Sequence, residues 1–449
     1  MSPRPSRRGP SPRRRSAPAQ PREGVGEVLR LTVREPAHGG ACVARDEAGR
    51  VVFVRHGAPG EVVRARVTAA QKKLAWADVV EVVEASPDRV PSVWPQAGPG
   101  GVGGGELAHL RPVAQRDWKS RVIAGQLRRV GGPALAEVVD CLGGVSVRPA
   151  PGDEAPGDPL TGRRTRIEIV IDDRGRPGMH AYRDRRVIAL DDMPLAVPAI
   201  RQLGLFDEDS PWRSLWQPGD RVRVVAPSAG EPVVLVGENT YDASGALIDV
   251  DAARWEVPVR GITESYGVRP RGFWQAHVRG AEVLAGAVVS AAVGADEAGA
   301  GHAVMELYSG AGLFSVPLAR AVGNGGRVVT LEGDEGAVRD AGANVAAFSW
   351  VDVFAGAVDS EGVVDLSGQL GAVPDVVVAD PPRAGAGADV CRAIAATGAP
   401  RVVLVSCDPA AGARDLRALT ECGYTLASLQ AWDLFPHTHH VEMVSVLSR

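Results

Sequence analysis

From residue 261 onwards, short apolar runs alternate with segments long enough to form one helix each. Strands separated by helices in this way build a parallel, doubly wound α/β sheet with helices on both faces. A final pair of strands has only a short connection, which predicts an antiparallel hairpin at the sheet edge. The predicted strands are residues 303–308, 327–332, 350–354, 375–380, 401–407, 425–432 and 440–447, and the predicted helices are residues 271–286, 313–321, 336–347, 389–397 and 410–422.

The whole chain has 449 residues, which is too long for a single hydrophobic core. We therefore expect several domains, and shifts in composition suggest where they meet. The predicted units are a basic tail (1–22), a small β-barrel (23–86), a middle α+β domain (87–262) and a Rossmann-like α/β domain (263–449).

The tail up to Arg22 carries seven arginines and no acidic residue, and it is rich in proline and serine. Such a segment cannot bury apolar area, so we expect it to be disordered. Two interpretations remain open. The tail either holds RNA phosphates through its charge or is a solvated extension without a role.

Cysteine usage and hydropathy bear on the cellular compartment. The five cysteines show no CxxC spacing, which predicts free thiols in a reducing compartment and no sulfur-bound metal. No uncharged apolar run reaches the length of about 18 residues that a membrane span needs. The N-terminus lacks an apolar signal core, so we expect a cytoplasmic protein. We also expect the protein to be a monomer.

Five short alternating strands are predicted within residues 24–86, with glycine-containing turns between them. This spacing is typical of small barrels that bind oligonucleotides. Between the last two strands, Lys72, Lys73 and Trp76 combine two positive charges with an aromatic ring, which suits a phosphate and stacking contact with RNA. The alternative is an ordinary solvated loop with a packing tryptophan.

A glycine-rich turn follows the first strand of the α/β domain, in the sequence MELYSGAGLF (305–314). Glycines at a strand-to-helix turn let the backbone approach a ligand closely. Glu332 ends the next strand, where an acid can accept hydrogen bonds from ribose hydroxyls. Ser315 stands where a dinucleotide-binding motif would have its third glycine, so S-adenosylmethionine fits better than a dinucleotide.

Two further strands end in polar residues at the same predicted edge. Asp380 opens the rigid turn Asp-Pro-Pro-Arg, which also presents Arg383 with little conformational freedom. Cys407 ends the following strand. A strand cysteine is usually a core residue, but one at the carboxyl edge can also act as a nucleophile towards a bound substrate.

Four motifs together, LYSGAGLFSVPLA, DPPRAG, VSCDPAAGARDL and LFPHTHHVEMVSVL, resemble the RNA 5-methyluridine methyltransferase family. Within the predicted barrel, the sequence HGGACVARDEAGRVVFVRHGAPGEVVRARV resembles the TRAM domain, an RNA-binding module. The resemblance implies methyl transfer from S-adenosylmethionine to uracil C5 in RNA. It also implies site residues: Cys407 as nucleophile, Glu442 as proton-abstracting base, and four cofactor contacts at Gln275, Tyr308, Glu332 and Asp380.

One branch of that family holds an iron–sulfur cluster through cysteines. Here Trp94, Val102 and Gly105 stand near the expected ligand positions, so we expect no cluster, because its ligands are thiolates. Two other functions remain open: methylation at another nucleobase position with Cys407 structural, and RNA binding without catalysis. On family analogy, ribosomal RNA is favoured over transfer RNA as substrate.

Overall fold

The computed structural model describes residues 24–155, 157–294 and 299–449. The disordered tail predicted for residues 1–22 lies outside these ranges. The described residues form four β-sheets with helices packed on the largest of them. None of the helices in these ranges is long and apolar enough to cross a membrane.

The N-terminal sheet is a barrel, as the alternating pattern predicts, but it has six strands instead of five because Pro36–Ala37 forms an additional short strand. Its order is β1-β5-β6-β4-β3-β2, and of these pairs only β4 and β6 run parallel. Where the chain leaves β1, the Arg34 amide donates to the Val43 carbonyl of β3 and the Val43 amide donates to the Glu35 carbonyl, both at 2.8 Å, which closes the sheet. The strands are β1 (Val28–Thr32), β2 (Pro36–Ala37), β3 (Ala41–Arg45), β4 (Val51–Arg55), β5 (Val62–Ala70) and β6 (Leu74–Glu84).

The barrel is followed by two helices, α1 (Pro112–Gln126) and α2 (Pro133–Cys141), and a short strand, β7 (Val147–Pro149). Both helices begin with proline, which has no amide to leave unbonded in the first turn. Helix α1 packs on two units. Its Trp118 and Val122 belong to the barrel core, whereas Ile123 belongs to the core of the α/β sheet.

The middle sheet is antiparallel, with the order β10-β9-β8-β11-β12-β13. Its strands are β8 (Arg166–Ile171), β9 (Pro177–His180), β10 (Val187–Ala189), β11 (Arg221–Val225), β12 (Val233–Val236) and β13 (Asn239–Tyr241), and α3 (Pro198–Arg201) lies between β10 and β11. A separate hairpin, β14 (Ala253–Val259) and β15 (Ile262–Val268), was not predicted. Its turn has positive φ at Arg260 and Gly261 (50° and 80°), the geometry of a tight hairpin turn.

The C-terminal α/β sheet has eight strands in the order β18-β17-β16-β19-β20-β22-β21-β7. Strands β16 to β20 are parallel, and β21 and β22 form the predicted antiparallel pair, with β7 added outside β21. The strands are β16 (Ala303–Leu307), β17 (Arg327–Glu332), β18 (Val351–Ala355), β19 (Val376–Ala379), β20 (Arg401–Ser406), β21 (Thr425–Asp433) and β22 (Glu442–Ser448). The helices are α4 (Gly280–Val293), α5 (Ser315–Val322), α6 (Glu335–Asn344), α7 (Ser360–Leu370), α8 (Ala388–Ala396) and α9 (Pro409–Glu421).

Two helix predictions need correction. The helix predicted from residue 271 begins only at Gly280, because residues 271–279 form tertiary backbone bonds instead: Thr165 donates to the Ala276 carbonyl, and Val278 donates to the Arg163 carbonyl. Helix α7 was not predicted. Its sequence is polar and contains glycine. The helix begins directly after Asp359, whose side chain caps it by accepting a hydrogen bond from the Gly362 amide.

Candidate active site

Three predicted residues meet at the carboxyl edge of the sheet because of the strand register. Leu307 of β16 pairs with Leu331 of β17 on one side and with Ala379 of β19 on the other. The next residue of each strand is Tyr308, Glu332 and Asp380, respectively. The three side chains therefore leave adjacent strands at one level, as expected for a doubly wound sheet.

The glycine-rich turn wraps around Glu332. Tyr308, Gly310 and Gly312 have positive φ (62°, 54° and 85°), so the chain reverses sharply after β16. The Gly310 amide donates to one carboxylate oxygen of Glu332 (2.9 Å), and the Asp334 amide donates to the other (2.8 Å). The carboxylate keeps free lone pairs, because each oxygen can accept more than one hydrogen bond.

The acidic residues at this edge have no cationic partner: among the described residues, Glu306, Glu332 and Asp380 form no salt bridge. Burial raises the pKa of Glu306 to about 8; the charges of Asp380 and Glu332 add to the effect, and the hydrogen bond from the Ser315 hydroxyl (2.6 Å) opposes it. Burial also raises the pKa of Asp380 to about 7, helped by the Glu332 charge.

These carboxylates and the glycine-rich turn fit S-adenosylmethionine. A cationic sulfonium relieves the repulsion among buried carboxylates, the carboxylate of Glu332 suits ribose hydroxyls, and the glycine turn admits a ligand close to the backbone. The residues that sequence analysis named are therefore chemically suitable for this cofactor.

Cys407 and Glu442 are brought together by the antiparallel pairing of β20 with β22. Ser406 pairs with Met443 at the end of the ladder, so Cys407 and Glu442 occupy the next level on neighbouring strands. Cys407 is partly exposed and Glu442 is buried. Cys407 and Glu442 are 35 positions apart in the chain, with α9 and β21 between them. They become neighbours because β22 turns back from β21 and pairs with β20.

Burial raises the pKa of the Cys407 thiol to about 12, and the charges of Glu442 and Asp380 add to this effect. Burial likewise raises the pKa of Glu442 well above its usual range, with a further contribution from Asp380. The Arg383 guanidinium lowers the pKa of both groups. The Arg383 charge therefore favours a thiolate at Cys407, although the effect of burial outweighs it.

Gln275 is the one predicted site residue that does not lie at the end of a strand of the α/β sheet, as the other five do. It is buried in the segment before α4, next to Trp274, which stacks on Trp255 of the hairpin at 5.5 Å between ring centroids. Its carbonyl lies 3.4 Å from the Thr165 hydroxyl. No hydrogen bond between described residues involves its side-chain amide, which leaves that amide available to a ligand.

Sequence reasoning missed one contact beside Cys407. Asp408 caps α9 by accepting from the Ala410 and Ala411 amides, and its other carboxylate oxygen lies 2.8 Å from His38 Nε2 in the barrel. These contacts with the amides and with His38 hold the pKa of Asp408 at about 2, although burial opposes them. His38 sits in a turn before two glycines, and no local signal connects it to a residue 370 positions away.

The positions near the expected cluster ligands are filled by apolar packing. Trp94 and Val102 belong to the core of the middle sheet. A Cβ atom built on Gly105 would lie 2.6 Å from that of Ala97, so the backbone there is tightly enclosed. Within the described part of the chain, no group of three or more histidine, cysteine or acidic residues could hold a metal ion.

The predicted RNA contacts of the barrel lie on its surface. Lys72 and Lys73 are exposed in the turn between β5 and β6. Trp76 is half-buried and stacks on Phe53, with ring centroids 5.9 Å apart. The tryptophan therefore has a packing role, whereas both lysines remain open to solvent.

Comparison with known proteins gives matches at both ends of the chain. Residues 22–80 match the TRAM domain, and residues 372–449 match the family described as tRNA (Uracil-5-)-methyltransferase. An uncharacterized RNA methyltransferase of Streptomyces avermitilis is 36% identical, over 94% of this chain and 98% of that protein. The 23S rRNA (uracil(1939)-C(5))-methyltransferase of Halomonas elongata is 32% identical, over 97% of this chain and 93% of that protein.

A solved structure shares the fold over nearly the whole length. It is the tRNA (uracil-54, C5)-methyltransferase of Pyrococcus abyssi in complex with S-adenosyl-L-homocysteine. The two chains are 22% identical with a TM-score of 0.65, and the match covers 93% of this chain and 100% of that one.

Proposed function

This chain belongs to the family of S-adenosylmethionine-dependent RNA (uracil-C5) methyltransferases with a TRAM domain, and we propose that it modifies a uridine of ribosomal RNA through a covalent cysteine adduct. The observation that carries the mechanism is the pairing of Cys407 with Glu442 at the sheet edge, beside Asp380. A nucleophile and a base at one level of the sheet are what C5 methylation of uracil requires.

In the first step, Cys407 activates the base. Uracil C5 is a poor nucleophile, but addition of the thiolate to C6 generates an enolate whose C5 can attack a methyl group. Burial raises the pKa of the Cys407 thiol to about 12, so the thiolate needs nearby positive charge to form. Arg383 and a cation bound beside Asp380 both favour it, because each offsets the negative charge around the sulfur.

In the last step, Glu442 completes the substitution. Its carboxylate takes the C5 proton, the electron pair of the C5–H bond restores the C5–C6 double bond, and the C6–S bond breaks to release Cys407. The buried position of Glu442 suits this role, since burial makes a carboxylate a stronger base. When bound, S-adenosylmethionine supplies the electrophilic methyl group.

We propose that Gln275, Tyr308, Glu332 and Asp380 hold this cofactor. Glu332 would accept from ribose hydroxyls, and Asp380 would face the cationic part of the molecule. Tyr308 offers a ring beside the glycine turn, and the side-chain amide of Gln275, which bonds to no described residue, offers a polar contact.

We also propose that the barrel and the middle sheet, within residues 23–262, bind the folded RNA and that residues 263–449 carry out the chemistry. A stacked base hides both of its faces, so the target uridine must lie in a loop or be flipped out. The barrel contact between His38 and Asp408 supports a shared RNA path, because it brings the barrel to the residue next to Cys407.

The preference for ribosomal RNA is supported by the full-length relative named as a 23S rRNA methyltransferase, which is 32% identical. It can be tested by incubating the enzyme with methyl-labelled S-adenosylmethionine and with separated ribosomal and transfer RNA from a strain lacking the gene. We expect one labelled 5-methyluridine in ribosomal RNA. Label confined to transfer RNA would overturn the substrate assignment, and label on another base atom would overturn the reaction.

A further inference from the structure

The hairpin turn of residues 433–441, which we call the base turn, leads directly into Glu442. It closes the β21–β22 ladder, whose last pair is Trp432 with Glu442. Among the described residues, no hydrogen bond reaches the Glu442 carboxyl itself. The position of this carboxyl is therefore set by its backbone and by packing, and the backbone is set by the base turn.

The base turn is held by helix α1, which lies about 300 positions earlier in the chain. Lys119 Nζ donates to Asp433 Oδ1 at 2.5 Å and to the Phe435 carbonyl at 3.0 Å. Both charged side chains are buried, with 0% and 1% of their areas exposed. A buried ion pair has a fixed geometry, because neither partner can turn to water instead.

Gln115 lies one helical turn before Lys119 on the same face of α1 and binds His437 of the base turn. Its amide oxygen accepts from the His437 backbone amide at 2.7 Å, and its amide nitrogen lies 3.1 Å from His437 Nδ1. The same nitrogen donates to the Leu110 carbonyl. His437 has a positive φ of 68°, a backbone conformation that a non-glycine residue keeps only when its surroundings enforce it.

Two more contacts come from the N-terminal half. The Leu107 amide donates to the His437 carbonyl at 2.8 Å, and the Pro159 carbonyl lies 2.8 Å from His437 Nε2. His437 therefore has partners on its amide, its carbonyl and both ring nitrogens, and each partner precedes residue 160 in the chain.

From these contacts we infer that Gln115 and Lys119 of α1 are positioning residues for Glu442 in the proposed reaction. They touch neither the uracil nor the cofactor, and they act through the base turn. This inference rests on the proposed function. It predicts a selective defect: removal of the C5 proton slows, whereas the addition of Cys407 and the methyl transfer, which precede it, continue.

Two RNA probes separate these steps. With 5-fluorouridine RNA and S-adenosylmethionine, the methylated adduct persists because C5 carries fluorine in place of the proton, so trapping reports every step before Glu442 acts. With RNA containing 5-tritiated uridine, release of tritium to water reports proton removal. Glu442→Gln sets the lower limit of release, and Asp117→Asn, on the exposed side of α1 with 67% of the side chain accessible, is the matched control.

For Gln115→Leu we expect trapping at the wild-type rate and tritium release slowed on the order of 10- to 100-fold, as displacement of a reacting group produces. A denaturant-resistant complex with ordinary RNA should accumulate at the same time. Asp117→Asn should match the wild type with both probes. Gln115→Asn, which keeps the amide but draws it back by one carbon, should show a smaller defect of the same kind and keeps the test available if the leucine variant folds poorly.

Wild-type tritium release in both Gln115 variants would overturn the inference. So would equal losses of trapping and release, since these would indicate general damage rather than a displaced base. A wild-type enzyme that traps no 5-fluorouridine RNA would overturn the proposed function, and the inference with it, which distinguishes the two failures.

Discussion

At the scale of single residues, the site is defined by three acidic side chains, Glu306, Glu332 and Asp380, that form no salt bridge with any described residue. Burial places the pKa of Asp380 at about 7 and that of Glu306 at about 8. These carboxyl groups are therefore partly protonated near neutral pH, and a cationic ligand favours their ionised forms. The ionised forms of these two carboxyl groups are therefore more stable with a cationic cofactor bound than in the free chain.

This charge arrangement predicts a pH-dependent affinity. Binding of S-adenosylmethionine should strengthen as the pH rises towards the pKa values of Asp380 and Glu306 and should level off above them. The gain below these values is up to about tenfold per pH unit for each coupled group. S-adenosylhomocysteine lacks the sulfonium charge and should show a smaller rise. Calorimetric titrations of both ligands from about pH 6 to pH 9 check this. Parallel pH profiles for the two ligands would contradict it.

At the scale of elements, the glycine-rich turn depends on backbone conformations that only glycine adopts readily. Gly312 has a φ of 85° at the start of the turn into α5, whereas Gly342 lies within α6 with open space around it. Alanine at the first position meets backbone strain, and alanine at the second meets none.

We therefore expect Gly312→Ala to lower the free energy of unfolding by about 1–2 kcal/mol and to weaken cofactor binding. Gly342→Ala should raise the free energy of unfolding by about 0.5–1 kcal/mol and leave binding unchanged. Urea denaturation and ligand titration of the two variants measure both effects. Equal stability changes would show that the turn tolerates an ordinary backbone geometry.

Much of the element order could be predicted from sequence, because apolar strands and short turns carry local signals. The parallel strands β16 to β20 and the hairpin β21–β22 followed from such patterns. The start of α4 did not. Residues 271–279 have helical periodicity, but Thr165 and Arg163 take their backbone groups into tertiary bonds. Propensity is a weak guide where another part of the chain competes.

At the scale of the whole molecule, the positions of the residues at the sheet edge could be predicted from the sequence. The long-range contacts that hold neighbouring residues in place could not. Glu332 ends β17, and Asp380 and Cys407 directly follow β19 and β20. The carboxyl ends of parallel strands meet at one edge of the sheet. The contacts of His38 with Asp408 and of Lys119 with Asp433 join residues 370 and 314 positions apart. No periodicity in a single sequence encodes such distances.

The barrel gives a prediction at the same scale. Lys72 and Lys73 are exposed and far from the site in sequence, so replacing both with alanine should weaken RNA binding without slowing the bound enzyme. The slope of log affinity against log salt should fall by about one for each lysine that contacts a phosphate. Filter binding at several salt concentrations, with single-turnover methylation, tests this. An unchanged slope would show that the turn does not touch RNA.

The central claim is that the sulfur of Cys407 bonds to the pyrimidine ring during catalysis. Mass spectrometry of peptides from enzyme incubated with 5-fluorouridine RNA and S-adenosylmethionine tests it most directly. We predict a peptide containing residues 401–407 whose Cys407 carries a methylated fluorouridine nucleotide, and no adduct with Cys407→Ala. An adduct on a different residue, or C5 methylation of uridine by Cys407→Ala, would contradict the account.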